Sequence, residues 1–139
     1  NNPTATAESF IDGWFLTGDI GYLDDENFVF VVDRAKDIII RGGENISANE
    51  VEACYLEHPA VREAAAFAVA HERLGEEVGL AVYFKEGQQA SADELAAFVN
   101  GKLAHFKVAA HYWLREQPLP RNAANKVLKK QLRDDYSKL

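Results

Sequence analysis

The chain has 139 residues, of which 47% are hydrophobic, 27% charged and 11% aromatic, a composition typical of one ordinary soluble domain. It holds no apolar run near the roughly 18 residues that a membrane helix needs, and no signal-like segment opens it. A single cysteine, Cys54, excludes an internal disulfide and a cysteine-based zinc site, so a reducing compartment, the cytoplasm, is expected. Because methionine is absent, we expect a processed product or a piece of a longer protein.

The net charge of −7 is unevenly distributed along the chain. Residues 1–100 carry 6 basic and 19 acidic side chains, whereas residues 101–139 carry 9 basic and 3 acidic ones. Broad nucleic-acid binding requires a pervasive positive field, so this distribution argues against a nucleic-acid partner. The basic end fits either local attraction of one small polyanion or an ordinary solvated helix face.

The beginning of the chain predicts a β-hairpin that follows the end of some preceding structure. Residues 1–12 are polar and rich in turn formers. Two β-rich runs, 14–23 and 28–32, flank the acidic turn 24–27, which is a pattern typical of a hairpin.

The remainder of the chain alternates strands and helices. A short strand at 37–41 ends at Gly42-Gly43, and capping boxes that begin at Ser47 and Ser91 predict the starts of two helices. The other predicted elements are three strands and a final helix, at 61–70, 77–84, 112–114 and 126 to about 136. The basic side chains of that helix are expected to face solvent, namely Lys129, Lys130 and Arg133. The order predicts an α+β fold, with a β-hairpin stub followed by a small mixed sheet flanked by helices.

The residues by themselves predict no self-contained active site. The four histidines lack the helical or hairpin spacing of metal ligands, so no metal site is expected. Ser47 and Ser91 are better explained as helix caps than as nucleophiles. Cys54 lies on the apolar face of a predicted helix, where a small core residue is the simpler interpretation.

A few polar residues lie where packing does not require them, namely Asp19, Asp33, Arg34 and Lys126. Asp19 is either a turn residue or a carboxylate placed to accept hydrogen bonds from vicinal hydroxyls. Lys126 is either a structural lysine or an ammonium that reaches a phosphate or carboxylate oxygen. Taken singly, each residue leaves both interpretations open.

Three segments form a recognisable pattern when they are read together in chain order. They read G-W-F-L-T-G-D at 13–19, D-R-A-K-D-I-I-I-R-G-G-E-N-I-S at 33–47, and L-P-R-N-A-A-N-K at 119–126. These resemble the G-W-x-x-T-G-D segment, the hinge signature and the L-P-R-N-x-x-G-K tail motif of adenylate-forming enzymes, the superfamily of acyl-CoA synthetases, adenylation domains and luciferases. The matches extend over nearly the whole chain.

The resemblance implies a division of the chain and several residue roles. Residues 1–32 would end the large N-terminal domain, and residues 33–139 would form a mobile C-terminal lid that turns about a hinge at Asp33. Asp19 would hold the ribose hydroxyls of ATP, with help from Arg34. Lys126 would be the catalytic lysine of the adenylation step.

The resemblance also implies the substrates. Gly42, Gly43 and Glu44 would face the tunnel that receives the pantetheine arm of CoA. The enzyme would use ATP with Mg²⁺, a carboxylic acid of fatty acyl or related type, and CoA, and the lid's partner would be its own large domain. The family's phosphate loop and acyl pocket are absent from this sequence, so the chain alone is expected to be inactive.

Two positions depart from the family pattern. Asn125 replaces the glycine before the tail lysine, and asparagine tolerates the left-handed backbone better than most residues. Ala109 replaces the proline of a K-V-P segment at 107–109, which is expected to loosen that loop. Two other functions stay open: an adenylation domain that loads a carrier protein, and a non-catalytic α+β binding module.

Overall fold

The computed structural model describes residues 2–139 and divides the chain into two compact units between Lys36 and Asp37. The elements of the first unit are α1 (Pro3–Glu8), β1 (Phe10–Ile11), β2 (Trp14–Phe15), β3 (Asp19–Leu23) and β4 (Val29–Arg34). Those of the second unit are β5 (Ile38–Arg41), β6 (Glu44–Ser47), α2 (Ala48–Leu56), β7 (Val61–His71), β8 (Gly75–Phe84), α3 (Ala92–Val99), β9 (His111–Arg115) and α4 (Lys129–Tyr136). None of these helices is long and apolar enough to cross a bilayer.

The first unit is built from two antiparallel hairpins. The predicted hairpin is confirmed, since β3 pairs with β4 and the rings of Tyr22 and Phe30 stack across it at 5.1 Å. The short helix α1 and strand β1 lie where the sequence suggested only turns, and Trp14–Phe15, which was expected to begin the long hairpin, instead pairs with β1 as β2. Among residues 2–36, Asp33 is the only buried residue, and Trp14 is 78% exposed. This unit therefore buries no apolar core of its own.

The second unit contains a five-stranded mixed sheet in the order β6-β5-β8-β7, with β9 parallel to β8 and the other pairings antiparallel. This architecture confirms the predicted α+β class. The predicted strands and the first two predicted helices are all present. Strand β6, which follows the Gly42-Gly43 turn, was not predicted, because its polar sequence lacks the apolar pattern of a strand.

Strands β7 and β8 are buried on both faces of the sheet. On one face, Ala66 and Leu80 join a core that includes Tyr55 of α2 and Leu95 of α3. On the other face, a second core forms from Ala65, Phe67, Ala81, Leu119 and Leu132. Burial on both faces explains why the two strands read as continuous apolar runs rather than as alternating ones.

Both predicted helix starts are confirmed by their caps. The Ser47 hydroxyl accepts the Glu50 N–H at 3.2 Å. Ser91 forms a complete capping box, because its hydroxyl accepts the Glu94 N–H at 3.2 Å while the Glu94 carboxylate accepts the Ser91 N–H at 2.8 Å. Such caps satisfy backbone donors that would otherwise lack partners at a helix N-terminus.

The prediction of a looser loop at Ala109 is wrong. Ala109 is buried, and its N–H donates to the Tyr55 hydroxyl at 3.2 Å, a bond that proline could not make. The Tyr55 hydroxyl also lies 2.6 Å from that of Tyr112. Burial raises the pKa of both phenols, so both are protonated at neutral pH and one donates to the other. The loop is thus held to the core by a hydrogen-bond network.

The final helix also differs from the prediction. It begins at Lys129 rather than at Lys126, because residues 126–128 close a turn instead of starting the helix. Lys129 was expected to face solvent, but its side chain is only 16% exposed and forms an ion pair with Glu52. Lys130 and Arg133 do face solvent, whereas Leu132 is fully buried.

The Tyr55 network makes the first testable prediction. We expect Tyr55→Phe to lower the free energy of unfolding by about 1–3 kcal/mol, because it leaves the buried Ala109 N–H without its acceptor. The control is Tyr83→Phe, since the half-buried Tyr83 makes no hydrogen bond through its hydroxyl within residues 2–139. It should change stability by less than about 0.5 kcal/mol. Urea unfolding measures both variants, and equal losses would contradict the account.

Candidate functional site

Strands β3 and β4 bring Asp19 and Arg34 together. The two residues are register partners in the hairpin, and the Arg34 Nε lies 2.7 Å from the Asp19 Oδ1. The Asp19 side chain is 29% exposed, so part of the carboxylate stays open to a further donor. The guanidinium orients the carboxylate and supplies a positive charge next to it.

Asp33 occupies the penultimate position of β4, three residues before the division between the two units. Its side chain is 2% exposed, and its Oδ1 accepts the Arg34 N–H at 2.7 Å. This backbone donor helps to offset the cost of burying the carboxylate. The division falls after Lys36, within the 3-10 turn Ala35–Asp37.

The Gly42-Gly43 pair forms the two-residue turn between β5 and β6. Both glycines have positive φ, 59° and 91°, and Arg41 pairs with Glu44 across the turn. A two-residue hairpin turn with positive φ at both positions favours glycine, since a Cβ would be strained there. A Cβ built on Gly43 would meet no atom within 4 Å, so the turn is an exposed strip of backbone.

The β7–β8 connection holds this glycine turn in place. The Gly42 N–H donates to the Leu74 carbonyl at 2.8 Å, and the Glu76 carboxylate accepts the Ile40 N–H at 2.8 Å. His71 supports the connection from within, because its Nδ1 accepts the N–H groups of Arg73 and Leu74. The glycine turn therefore lies at the end of the sheet where β7 passes into β8.

Lys126 lies on a tight hairpin turn that precedes α4. Asn122 organises the turn, because its side-chain oxygen accepts the N–H of Ala124 at 3.0 Å and that of Lys126 at 2.9 Å. Asn125 has a φ of 61°, so it adopts the left-handed backbone expected of it as a replacement for glycine. The Lys126 side chain is exposed and makes no hydrogen bond or ion pair within residues 2–139.

Two ion pairs attach the Lys126 turn to the rest of the second unit. Before the turn, Arg121 lies 3.3 Å from the Glu63 carboxylate of β7. After it, Lys129 lies 2.8 Å from the Glu52 carboxylate of α2, which also accepts the Ala66 N–H on the open edge of β7. Nothing in the sequence indicated that Glu63, Glu52 and Lys129 hold this turn. Glu63 offered no signal, since it belongs only to an ordinary Arg62-Glu63 pair near the start of an apolar run.

The Lys126 turn and the glycine turn lie toward opposite ends of β7. Glu63, which holds the Lys126 turn, is near the beginning of the strand, whereas the glycine turn is held after its end, at Leu74. Glu63 and His71 are eight residues apart, or roughly 27 Å at a rise of about 3.4 Å per residue. The two turns are too far apart to contact one small reacting group at the same time.

The basic C-terminal segment is largely neutralised by ion pairs. Six of its nine basic side chains have carboxylate partners, namely Lys102, Lys107, Arg121, Lys129, Lys130 and Lys138. Arg115 donates to the Gln117 carbonyl and lies over the Trp113 ring. Within residues 101–139, all of which the structure describes, Lys126 and Arg133 are the only lysine or arginine side chains that make no hydrogen bond or ion pair. A broad polyanion-binding face is therefore not supported, and Lys126 stands out as an unneutralised charge.

The fold and the tail turn define the C-terminal domain of an AMP-binding enzyme. Residues 50–126 match the AMP-binding enzyme C-terminal domain, and the chain belongs to that family within the adenylate-forming enzymes. The match covers the segment from α2 to Lys126. The resemblance inferred from the three motifs is confirmed.

Two curated relatives illustrate the range of the family. The chain is 45% identical over 131 residues to the 2-succinylbenzoate–CoA ligase of Geobacillus kaustophilus (strain HTA426), covering 94% of this chain and 26% of the relative. It is 42% identical over 134 residues to the fatty acid–(acyl-carrier-protein) ligase ScoC of Streptomyces coeruleorubidus, covering 96% of this chain and 26% of the relative. The chain thus spans about a quarter of the length of the relatives it matches.

A solved structure agrees with the fold. The o-succinylbenzoate CoA synthetase (MenE) from Bacillus subtilis, in complex with the acyl-adenylate intermediate OSB-AMP, superposes with a TM-score of 0.84 at 42% identity. The similarity covers 96% of this chain and 27% of that chain. The architecture described above is therefore that of a C-terminal domain in this family.

The left-handed backbone at Asn125 makes the second testable prediction. Asn125→Ala should lower the free energy of unfolding by about 1 kcal/mol, and Asn125→Gly should preserve it within about 0.5 kcal/mol, because a Cβ without a hydrogen-bonding side chain is disfavoured at positive φ. At Ala124, where φ is negative, glycine should destabilise instead. Chemical denaturation measures the series, and the same response to glycine at both positions would contradict the assignment.

Proposed function

We propose that this chain is the C-terminal part of an ATP-dependent acid–CoA ligase that forms an acyl-AMP and then an acyl-CoA. The observation that supports the proposal is that two exposed turns, the glycine turn and the Lys126 turn, lie toward opposite ends of β7 in one domain of this family. A two-step reaction at one centre can use two distant surfaces if the domain turns between the steps. Membership in the family argues against a free-standing binding module.

In the first step, an oxygen of the substrate carboxylate attacks the α-phosphorus of ATP, and the bond to pyrophosphate breaks. Both reactants are anionic, so a placed positive charge stabilises the transition state more than the separated reactants. Lys126 suits this role because its ammonium is exposed and unneutralised while its backbone is fixed by Asn122. We therefore assign the adenylation step to Lys126.

The nucleotide would be held by the first unit. The Asp19 carboxylate, oriented by Arg34 and partly exposed, suits the acceptance of hydrogen bonds from the two vicinal ribose hydroxyls. Arg34 would assist at the ribose from the same strand pair. ATP would bring Mg²⁺ with it. We assign none of the ion's ligands to residues 2–139, where no group of three His, Cys, Asp or Glu side chains could hold a metal.

In the second step, the CoA thiol attacks the acyl carbon, AMP leaves with the oxygen it gained, and the thiol proton passes to solvent. Gly42, Gly43 and Glu44 would line the passage for the pantetheine arm. An exposed turn of two glycines lets a slender chain approach the backbone closely, since no side chain projects from it. The hydrogen bond from Gly42 to Leu74 would keep this strip in position.

The two steps require a hinge, which we place at Asp33. Residues 1–32 would complete a large N-terminal domain, and residues 33–139 would form the mobile lid. The first unit supports this division, because its apolar side chains are exposed and an isolated two-stranded hairpin is marginal in water. The large domain would cover them, and it is the partner that we propose for this chain.

We propose only the chemical class of the carboxylic acid that is activated and of the thiol that accepts the acyl group. A fatty acyl or related carboxylic acid remains our proposed substrate, with CoA as acceptor and the cytoplasm as the compartment. One relative is named for 2-succinylbenzoate and CoA, and another for a fatty acid and an acyl-carrier protein. The second relative favours an alternative in which the enzyme loads a carrier protein, whose surface would then meet the glycine turn.

The assignment of Lys126 makes the third testable prediction. In the complete enzyme, Lys126→Ala should slow acyl-AMP formation about 10²–10³-fold, as expected for loss of one group that stabilises transition-state charge. Thioester formation from supplied acyl-AMP should stay within about twofold. Pyrophosphate release and thioester yield measure the two steps separately.

The matched control is Lys130→Ala. Lys130 is also exposed, but it pairs with Asp134 within α4 and lies outside the turn, so both steps should be retained. A similar slowing of both steps by Lys126→Ala, or an adenylation loss of equal size in Lys130→Ala, would contradict the assigned role.

A further inference from the structure

We propose that Glu63 is a positioning residue for Lys126, acting through the guanidinium of Arg121 to fix the turn that carries the lysine. This inference rests on the proposed role of Lys126 in acyl-AMP formation. Glu63 lies outside the three sequence motifs, in β7, a strand whose side chains are part of both hydrophobic cores.

The peptide group between Asn125 and Lys126 is held at both of its polar atoms. The Asn125 carbonyl accepts the Arg121 Nη1–H at 2.9 Å, and the Lys126 N–H donates to the Asn122 Oδ1 at 2.9 Å. Because a peptide bond is planar, these two bonds fix the plane that precedes the Lys126 Cα. The direction in which the lysine leaves the turn therefore depends on Arg121.

Arg121 is in turn oriented by Glu63. The second terminal nitrogen of the guanidinium, Nη2, lies 3.3 Å from the Glu63 Oε2, while Nη1 donates to the turn. The side chains of Arg121 and Glu63 are 34% and 18% exposed, so the pair is partly shielded from solvent. A planar guanidinium held at one nitrogen presents the other in a defined direction.

Glu63 is itself rigidly placed. It pairs with Tyr83 of β8 next to a bulge in β7, and its carboxylate also accepts the Leu119 N–H at 3.1 Å. Leu119 is buried in the second core. The Glu63 carboxylate therefore binds both the buried backbone at Leu119 and the guanidinium of Arg121, two residues later. A chain of contacts thus connects the sheet to the peptide of Lys126 through Glu63 and Arg121.

This arrangement predicts a specific defect in the complete enzyme. Glu63→Gln retains an oxygen for the Leu119 N–H but loses the charge that orients Arg121. We expect kcat for acyl-AMP formation to fall about 10–100-fold, because a displacement of about 1 Å in a catalytic group has an effect of that order. Thioester formation from supplied acyl-AMP should stay within twofold, since the glycine turn is held toward the other end of β7.

A double-mutant cycle tests whether Glu63 acts through Arg121. In an Arg121→Ala background, Glu63→Gln should produce no further fall in adenylation. The control is Glu57→Gln, which removes an ion pair with Lys102 that does not involve the Lys126 turn, and it should leave both steps unchanged. Arg121→Lys provides a second variant, because it retains the charge but loses the forked pair of donors, and it should reproduce the adenylation defect.

Three results would overturn the proposal. They are a similar fall in both steps, independent effects of Glu63→Gln and Arg121→Ala, and wild-type adenylation in Arg121→Lys. Lys126→Ala separates this proposal from the proposed function. If Lys126→Ala slows adenylation and Glu63→Gln does not, the role of Glu63 is wrong, whereas normal adenylation in Lys126→Ala would refute the assignment of the lysine itself.

Discussion

The second unit depends on the pairing of β7 with β8, a long hairpin that is buried on both faces. One face packs against α2 and α3, and the other against the C-terminal segment and α4. The close approach of Phe67 to Gly79 shows how tightly the second face packs, since a Cβ on Gly79 would come within 2.8 Å of the Phe67 ring. Two layers on one sheet let a domain of about a hundred residues present separate functional surfaces.

This hairpin also separates the two candidate turns. The glycine turn is bonded to the connection that follows β7, and the Lys126 turn is bonded to a carboxylate near the beginning of the same strand. A strand is a stiff spacer, so the distance between the turns is set by its length rather than by loop conformation. In the proposed enzyme, the rigid spacing explains why the lid must rotate instead of bending a loop.

Much of the fold could be predicted because local signals agreed with the tertiary structure. Ser47 and Ser91 mark helix starts through their own side chains, and the β7 and β8 runs are too apolar to lie anywhere but in a core. Strand β6 could not be predicted because its polar sequence lacks the apolar pattern of a strand, and the late start of α4 could not because residues 126–128 form hydrogen bonds with the preceding loop. The Ala109 loop shows the same limit, since its anchor is the Tyr55 hydroxyl.

The residues of the candidate site likewise include some that could be proposed from sequence and some that could not. Asp19, Arg34 and Lys126 belong to segments with a recognisable order, so their positions could be proposed from sequence. Nothing near Glu63 or Glu52 in the sequence indicates that they hold the turn, because an acidic residue in a strand or helix is ordinary until its partner is known. Residues whose role is to position another side chain can be identified only from the contacts in the folded structure.

In the enzyme that we propose, the fixed turn delivers the Lys126 ammonium to the reacting phosphate. The most direct test is the distance from the Lys126 Nζ to the adenylate in a crystal structure of the complete enzyme bound to a non-hydrolysable acyl-adenylate analogue. We expect a separation of about 3 Å from a phosphate or acyl oxygen, with the Arg121–Glu63 pair intact. Lys126 in solvent, with Arg133 or another cation at the phosphate, would contradict it.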